Sequence, residues 1–447
     1  MPRERKLFGT DGVRDLANQG NMTPELALKL GRAFIKFNHG RKIIVGRDTR
    51  LSCRMLENAL TSGMSSEGAE ILSAGVIPTP GVSYAIKHLQ ADGGAVISAS
   101  HNPAEYNGIK FLGSDGCKLP DESELAIEDI LFASDYKPAH TQIQLQCGKI
   151  RDIPEIVEDY AIHTAKLLEP GAAVDDIAFD CANGASSVTV PVLVREAFRG
   201  LNTSIIANKF DGLNINKSCG VMAMQNLTNY VTSHNLAIGF AFDGDADRVL
   251  ICDKHGRIID GDIILWVLGR WLAKNKLPGS DKVVVTVMSN MALEAHLADE
   301  GIKTLRCPVG DRYVLESMRE SGAGLGGEQS GHIIASAFTS TGDGLCTAML
   351  FLNAVHDLCE DVSSLIDRFG RYPQKLTNLT LKRPRESVDM NAVNKIVEEY
   401  KLRVSSGRIF IRTSGTEPLL RILVEAPDKS LVEEISEILS DRLHEFC

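Results

Sequence analysis

Short runs of β-branched and apolar residues alternate with helix-period patterns along most of the chain, and that alternation admits few folds. Strands that recur with a helix-length segment between them belong to βα units on a largely parallel sheet, because a parallel return requires a long crossover. KIIVG (42–46) reads as a buried strand, and Ser52 stands where it can cap a helix whose apolar positions Met55, Leu56, Leu60 and Met64 recur at helical spacing. AVISAS (95–100) is the next strand and ends in a polar turn. A second unit opens at DIAFDCANG (176–184), runs through the helix VPVLVREAF and closes on the strand LAIGFAF (236–242). A third holds the helix around ILWVLGRWLA, the strand KVVVTV (282–287) and the glycine-rich GAGLGGEQSG (322–331). The three segments follow one α/β plan without a residue-level repeat. After the helix TAMLFLNAVHDLCED, the stretch YPQKLTNLTLKRPRE carries two prolines and marks the last boundary. A chain of 447 residues is too long for one core. The expected organisation is three α/β domains, over 1–150, 151–253 and 254–370, followed by a smaller α+β domain over 371–447.

Charge narrows the partners. Acidic side chains number 58 against 48 basic ones, a formal net charge of −10, and no lysine- or arginine-rich block interrupts the excess. Nucleic acid is not an expected partner, since phosphate-backbone binding wants a basic face. A small anionic ligand stays open, because local arginines can outweigh the global charge. No signal-like apolar core follows the first residues, and the greasiest run, 263–272, is broken by Gly269 and Arg270. A soluble protein that stays in the cytoplasm, with no membrane partner, is expected. Ten cysteines lie far apart with no Cys-x-x-Cys pair, which reads as buried thiols in a reducing compartment.

Four motifs can carry chemistry. In ISASHNPAEYNGIKF (97–111) a strand delivers Ser100 into the turn His101-Asn102-Pro103. Strand ends of α/β sheets hold reacting groups on a rigid base, so Ser100 is a nucleophile, a phosphoryl carrier or a turn-forming hydroxyl. In FDGDADR (242–248), Asp243, Asp245 and Asp247 alternate just past an apolar strand. Carboxylates so crowded repel one another unless a cation intervenes, and oxygen ligands favour Mg²⁺; a solvated acidic turn is the alternative. An EF-hand is excluded, because its glycine and glutamate positions hold Arg248 and Lys254. In GAGLGGEQSGHI, Gly322, Gly324 and Gly327 satisfy G-x-G-x-x-G without the helix a dinucleotide site needs. Glu328, Gln329, Ser330 and His332 there suit a polyhydroxylated ligand, or simply end a glycine-rich loop. In IRTSGTEPLLRI (411–422), Arg412 and Arg421 bracket Thr413, Ser414, Gly415 and Thr416, a set that fits a phosphate or an ordinary hydroxyl-rich turn. No Walker A sequence, His-Glu-x-x-His or Gly-x-Ser-x-Gly elbow is present.

Taken in order, the four motifs resemble the α-D-phosphohexomutase superfamily, and FGTDGVR (8–14), GRDTR (46–50), DCANGA (180–185), TVMSN (286–290), VGDRYV (309–314) and TGDG (341–344) extend the likeness over nearly the whole chain. The resemblance implies a four-domain architecture around a central cleft, and a mutase reaction in which a phosphorylated serine exchanges its phosphoryl group with a sugar monophosphate. It implies that Ser100 is the phosphoserine, and that Asp243, Asp245 and Asp247 with a serine phosphate oxygen hold one Mg²⁺. It places Arg14 and Lys110 near the phosphoserine, Arg248 on the moving group, Arg412, Ser414, Gly415, Thr416 and Arg421 on the substrate phosphate, and His101, His332 or a lysine in proton transfer. Gln329 stands where neutral-sugar relatives usually carry methionine, which points to glucosamine 6-phosphate and glucosamine 1-phosphate as the interconverted pair. Glucosamine 1,6-bisphosphate is then intermediate and primer, and the product feeds UDP-N-acetylglucosamine synthesis; a phosphomannomutase/phosphoglucomutase is the alternative. Glu328 and Ser330 then meet the sugar hydroxyls, and Glu328 also the ammonium. A monomer or homodimer is expected. Two departures stand out. Asp15 follows Arg14 where glycine is usual, adding a negative charge near a phosphate-handling loop, and Val221-Met222-Ala223 replace a frequent Ser-Thr-His.

Overall fold

The runs KIIVG, LAIGFAF and KVVVTV become buried strands, and the greasiest run, 263–272, lies in the helix Gly261–Lys274. The computed structural model describes residues 6–9, 11–133, 147–382, 388–404, 407–413 and 418–444. By contacts the chain divides into a large unit, residues 1–288 and 300–366, and a smaller one, residues 289–299 and 367–447.

The large unit holds three sheets. The first has six strands in the order Val13–Leu16, Tyr106–Gly113, Gly93–Ile97, Lys42–Arg47, Glu70–Val76, Ile150–Asp152. Lys42–Arg47 pairs in parallel with both Glu70–Val76 and Gly93–Ile97, whereas Tyr106–Gly113 runs antiparallel to Gly93–Ile97. On one face the helices Pro24–Asn38 and Cys53–Ser66 cross closely, because a side chain at Gly31 would strike the Leu60 carbonyl and one at Gly63 the Leu28 carbonyl. Thr23 caps the first of these helices, its hydroxyl accepting from Leu26 N at 3.3 Å. Ser52 does not act as the expected cap. Its Oγ instead accepts from Asn107 Nδ2 at 2.8 Å, so the hydroxyl ties the helix start to the neighbouring strand.

The second sheet runs Ile258–Ile259, Val249–Asp253, Ile238–Phe242, Ile177–Asp180, Thr203–Ile206, and the third Lys303–Cys307, Lys282–Thr286, Leu325–Gly327, Ile333–Ala335. Both repeat the arrangement of the first: a parallel core whose last parallel strand turns back into an antiparallel partner. The glycine-rich GAGLGGEQSG is therefore not one loop. Gly326 and Gly327 are strand residues, and a Cβ at Gly326 would meet Met318 Sδ at 2.6 Å, so packing against the helix Asp311–Ser321 demands the small residue.

The smaller unit pairs Gln374–Thr380, Leu419–Glu425 and Arg408–Thr413 in an antiparallel sheet backed by the helices Met390–Lys401 and Lys429–Leu443. The helix Met291–Asp299, which the sequence reading included in 254–370, packs with this unit. Buried Glu425 explains the attachment: it accepts from Met291 N at 2.8 Å and pairs with Arg408, whose guanidinium also donates to the Ser289 carbonyl. Among the described cysteines seven are buried, but Cys147 and Cys359 are exposed, against the expectation of buried thiols; Cys447 lies outside the described residues. Among the described residues no helix is long and apolar enough to cross a membrane.

Candidate active site

The three sheets of the large unit place three sequence motifs at the same topological position, the connection between the last parallel strand and its antiparallel partner. Ser100 follows Gly93–Ile97, the aspartate loop follows Ile238–Phe242, and Glu328–His332 follows Leu325–Gly327.

Ser100 is buried and sits at φ 50°, a left-handed backbone that a non-glycine residue adopts at a cost of about 1–3 kcal/mol and that surrounding structure must enforce. The enforcer is Arg50, fully buried at the end of GRDTR. Its guanidinium donates to the carbonyls of Ser100 (2.9 Å), Asn102 (2.8 Å) and Tyr106 (3.0 Å), and also to that of Pro103. Asp48 balances its charge at 2.9 Å and accepts from Ser98 Oγ, which in turn accepts from Ser100 N. From the second sheet's segment, Asn216 Nδ2 donates to the carbonyls of Ser100 and Asn102. The loop is thus held by its backbone, leaving the Ser100 hydroxyl to donate to Asp243 Oδ2 at 2.5 Å.

Asp243, Asp245 and Asp247 are all buried, and a ligand oxygen of each lies within 4.8 Å of the others. Thr79 donates to Asp245 through Oγ1 (2.6 Å), and Lys110 Nζ lies 2.9 Å from Asp245 Oδ2 and 3.7 Å from Asp247 Oδ2. Burial and the two neighbouring carboxylates push Asp243 well up, whereas Lys110 and Thr79 outweigh burial and hold Asp245 below the ordinary value. Asp245 Oδ1 and Asp247 Oδ1 are buried without hydrogen-bond partners among the described residues. An all-oxygen donor set with buried, unused lone pairs fits a hard divalent cation.

Cations surround these carboxylates. Arg14 and Lys118 both contact Asp11, and Lys110 reaches it at 3.2 Å. Arg248 lies beside Asp247, Nε to Oδ1 3.8 Å, and its N–H donates to Asp243 Oδ1 at 3.3 Å. His101 Nδ1 is 3.3 Å from Ser100 Oγ; burial, then Arg248 and Arg14, lower its pKa to about 4, so the ring is neutral at pH 7. The Asp15 carboxylate accepts from Leu16 N and Asn21 N in its own turn. Of the other departure, Val221 is buried, with its N–H on the Phe242 carbonyl, and Met222 is exposed.

In the third loop Glu328 Oε1 accepts from Gly310 N at 3.0 Å, and Ser330 Oγ lies 3.5 Å from Glu328 Oε2. Gln329 is turned elsewhere, donating to Asp260, the cap of the helix Gly261–Lys274. His332 is buried, bridged by its backbone to Arg248 and flanked by Gly342, where a side chain would strike the ring; its Nδ1 has no hydrogen-bond partner among the described residues. In the smaller unit Arg412 and Arg421 are direct cross-strand neighbours. Ser414, Gly415 and Thr416 lie outside the described residues.

The sequence reading missed Arg50, Thr79, Asn216, Asp11, Lys118 and Asp311, whose carboxylate lies 3.0 Å from the Lys118 ammonium. GRDTR, FGTDGVR and VGDRYV signalled three of these stretches, but the partners lie far away in the chain.

Comparison with known proteins gives the same domain order. Phosphoglucomutase/phosphomannomutase alpha/beta/alpha domains I, II and III match residues 5–138, 161–256 and 260–372, and the C-terminal domain of that family matches 376–442. A phosphoglucosamine mutase of Carboxydothermus hydrogenoformans is 43% identical over 438 residues, covering 96% of this chain and 97% of the relative; one of Ruegeria pomeroyi is 41% identical with 98% and 99% coverage. The crystal structure of a phosphoglucomutase/phosphomannomutase family protein from Burkholderia thailandensis superposes with a TM-score of 0.82 at 22% identity, covering 98% of this chain and 97% of the other. Aspergillus fumigatus N-acetylphosphoglucosamine mutase, solved with GlcNAc-6P and magnesium, shares the fold at a TM-score of 0.69 and 16% identity, covering 100% and 96%.

Proposed function

The chain belongs to the phosphoglucosamine mutase family of phosphohexomutases, and from that premise we propose how its residues carry the reaction. The enzyme interconverts glucosamine 6-phosphate and glucosamine 1-phosphate through a phosphoserine and glucosamine 1,6-bisphosphate, in amino-sugar metabolism leading to UDP-N-acetylglucosamine. Ser100 is the phosphoryl carrier. The observation that carries this assignment is the 2.5 Å hydrogen bond from its hydroxyl to Asp243, which sets a serine with a strained backbone against the acidic cluster.

A hydroxyl oxygen of the bound monophosphate attacks phosphorus, the P–O bond to Ser100 breaks, and the hydroxyl proton leaves to a base. The bisphosphate reorients, and its other phosphoryl returns to Ser100. Such transfers depend on placement and charge neutralisation more than on covalent help. Asp243, Asp245 and Asp247, with a serine phosphate oxygen, would hold Mg²⁺, which when bound neutralises charge on the moving group. Lys110, Arg14 and Arg248 supply the remaining positive field. Neutral His101 beside Ser100 Oγ exchanges the serine proton, and His332 exchanges the sugar hydroxyl's. Glu328 and Ser330 bind the sugar hydroxyls, and Arg412 and Arg421 the substrate's resident phosphate. We place the enzyme in the cytoplasm, where its sugar phosphates are made.

The test is S100A. Mutase activity should fall by at least about a thousandfold with the circular dichroism spectrum unchanged, and intact-mass analysis should find one phosphate on the wild-type Ser100 peptide and none on the variant. Retained turnover in S100A would move the carrier elsewhere. Faster turnover of mannose or glucose 1-phosphate than of glucosamine 1-phosphate would overturn the amino-sugar assignment.

A further inference from the structure

Lys118 lies outside the four motifs, yet its ammonium is enclosed between two carboxylates. It sits on the hairpin that follows Tyr106–Gly113, where Leu112 and Lys118 form a bridge. Nζ lies 3.1 and 3.0 Å from the two oxygens of Asp311 and also contacts Asp11, with the lysine side chain 8% exposed. Its two partners belong to two segments that carry proposed substrate-handling residues. Asp11 also contacts Arg14, assigned above to phosphate handling. Asp311 opens the helix Asp311–Ser321, and the preceding residue, Gly310, donates its N–H to Glu328 Oε1 at 3.0 Å from a backbone at φ 135° that only glycine adopts readily. One ammonium thus fixes both the turn that orients Glu328 and the turn that carries Arg14.

We propose that Lys118 is a positioning residue for sugar recognition, acting through Asp311 and Gly310 to hold Glu328 where it reads the sugar. The inference rests on the reading of Glu328 as a sugar ligand. A simpler, purely mechanical role is separable, because a second ion pair ties the helix Asp311–Ser321 to the helix Asp121–Phe132, which follows the Lys118 hairpin directly. The Arg312 guanidinium pairs with Glu124 at 3.0 Å and with Asp121, and only its backbone N–H, which a side-chain substitution keeps, bonds Asp311. If Lys118 merely fastened the hairpin to the helix, loss of Arg312 would have the same kinetic effect.

The experiment measures KM and kcat for glucosamine 1-phosphate, with urea midpoints, for wild type, K118M, E328Q, the double variant K118M/E328Q and R312M. We expect K118M to raise KM about tenfold with kcat changed less than about threefold, and the double variant to match E328Q alone instead of multiplying the two effects. R312M should lower the urea midpoint with KM within about twofold of wild type. An unchanged KM in K118M beside a raised KM in E328Q overturns the proposal alone, as does a multiplicative double variant or an R312M that raises KM as far as K118M. A silent E328Q refutes the underlying reading of Glu328, and the proposal with it. Should K118M fail to fold, D311N, which removes the same charge contact from the other side, must reproduce the KM effect or the proposal falls.

Discussion

Removing Lys110 separates a metal site from a mere acidic turn, because that ammonium is what lets three buried carboxylates share one loop without an ion. Around a cation all three carboxylates must be ionised, Asp243 included, and with ligand oxygens within 4.8 Å of one another each pair of unit charges then repels by about 3.5 kcal/mol at an effective dielectric of 20, about 10 kcal/mol for the three pairs. Lys110, at 2.9 Å from Asp245 and 3.7 Å from Asp247, returns about 10 kcal/mol on the same footing, so the two nearly cancel. K110M cannot lose the whole of that, since water and protons relieve the exposed charge; breaking one side of a buried ion pair costs about 3–5 kcal/mol. We therefore expect K110M in EDTA to be less stable than wild type by about 3–5 kcal/mol. A divalent cation on the same carboxylates replaces the lost charge, so Mg²⁺ should stabilise K110M more than it stabilises wild type, where ion and ammonium compete. At a hundred times its dissociation constant a ligand adds about 2.7 kcal/mol, well above the error of urea unfolding followed by circular dichroism. Four curves suffice, wild type and K110M each in EDTA and in excess Mg²⁺. Equal Mg²⁺ increments in the two proteins would refute the reasoning, and an increment that survives in D243N/D245N/D247N would remove the metal from this loop altogether.

R50M should lower stability by about 3–5 kcal/mol and mutase activity by at least about a hundredfold while keeping the Mg²⁺-dependent stabilisation, because Arg50 holds the Ser100 loop and not the aspartates; near-normal kcat would contradict this. Asp343, fully buried, is raised by burial from 3.8 to about 6 despite bonds from Cys346 N and Tyr160 Oη. Its ionised form is thus disfavoured by folding: the cost is full above pH 6 and vanishes as pH falls below 3.8. The stability difference between wild type and D343N should accordingly change by up to about 3 kcal/mol in favour of wild type between pH 7.5 and pH 4, in urea unfolding, and a pH-independent difference would contradict it.

What could be read from the sequence follows from how local each signal was. KIIVG, LAIGFAF and KVVVTV fall within a residue or two of observed strands, because a strand buried on both faces must be apolar throughout. The aspartate triplet was legible for a similar reason: alternate carboxylates immediately past such a strand have no purely local compensation. Arg50 was not, since its partners are backbone carbonyls some fifty residues away, and a carbonyl leaves no mark in a sequence. Lys118 and Asp311 look like ordinary surface charges until the fold sets them 3.0 Å apart. Gln329 shows the converse, a residue legible by its motif whose amide the fold commits to Asp260.

Why the serine and the aspartates meet at all is a matter of backbone fit. They sit on different sheets, and the approach of the two loops is limited by their main chains, not by their side chains. A Cβ on Gly244 would stand 2.5 Å from the Ser100 carbonyl, so any larger residue there drives the loops apart and stretches the 2.5 Å bond from Ser100 to Asp243. Ala246, at φ 55°, turns the aspartate loop back on itself, and Gly344 N anchors its carbonyl at 3.0 Å from the third sheet's segment. Two loops with strained, left-handed residues thus face each other across one glycine, fixed from behind by Arg50 on one side and a helix N-terminus on the other. Under the proposed function, that arrangement would let a phosphoryl group be held by one segment while its charge is met by another.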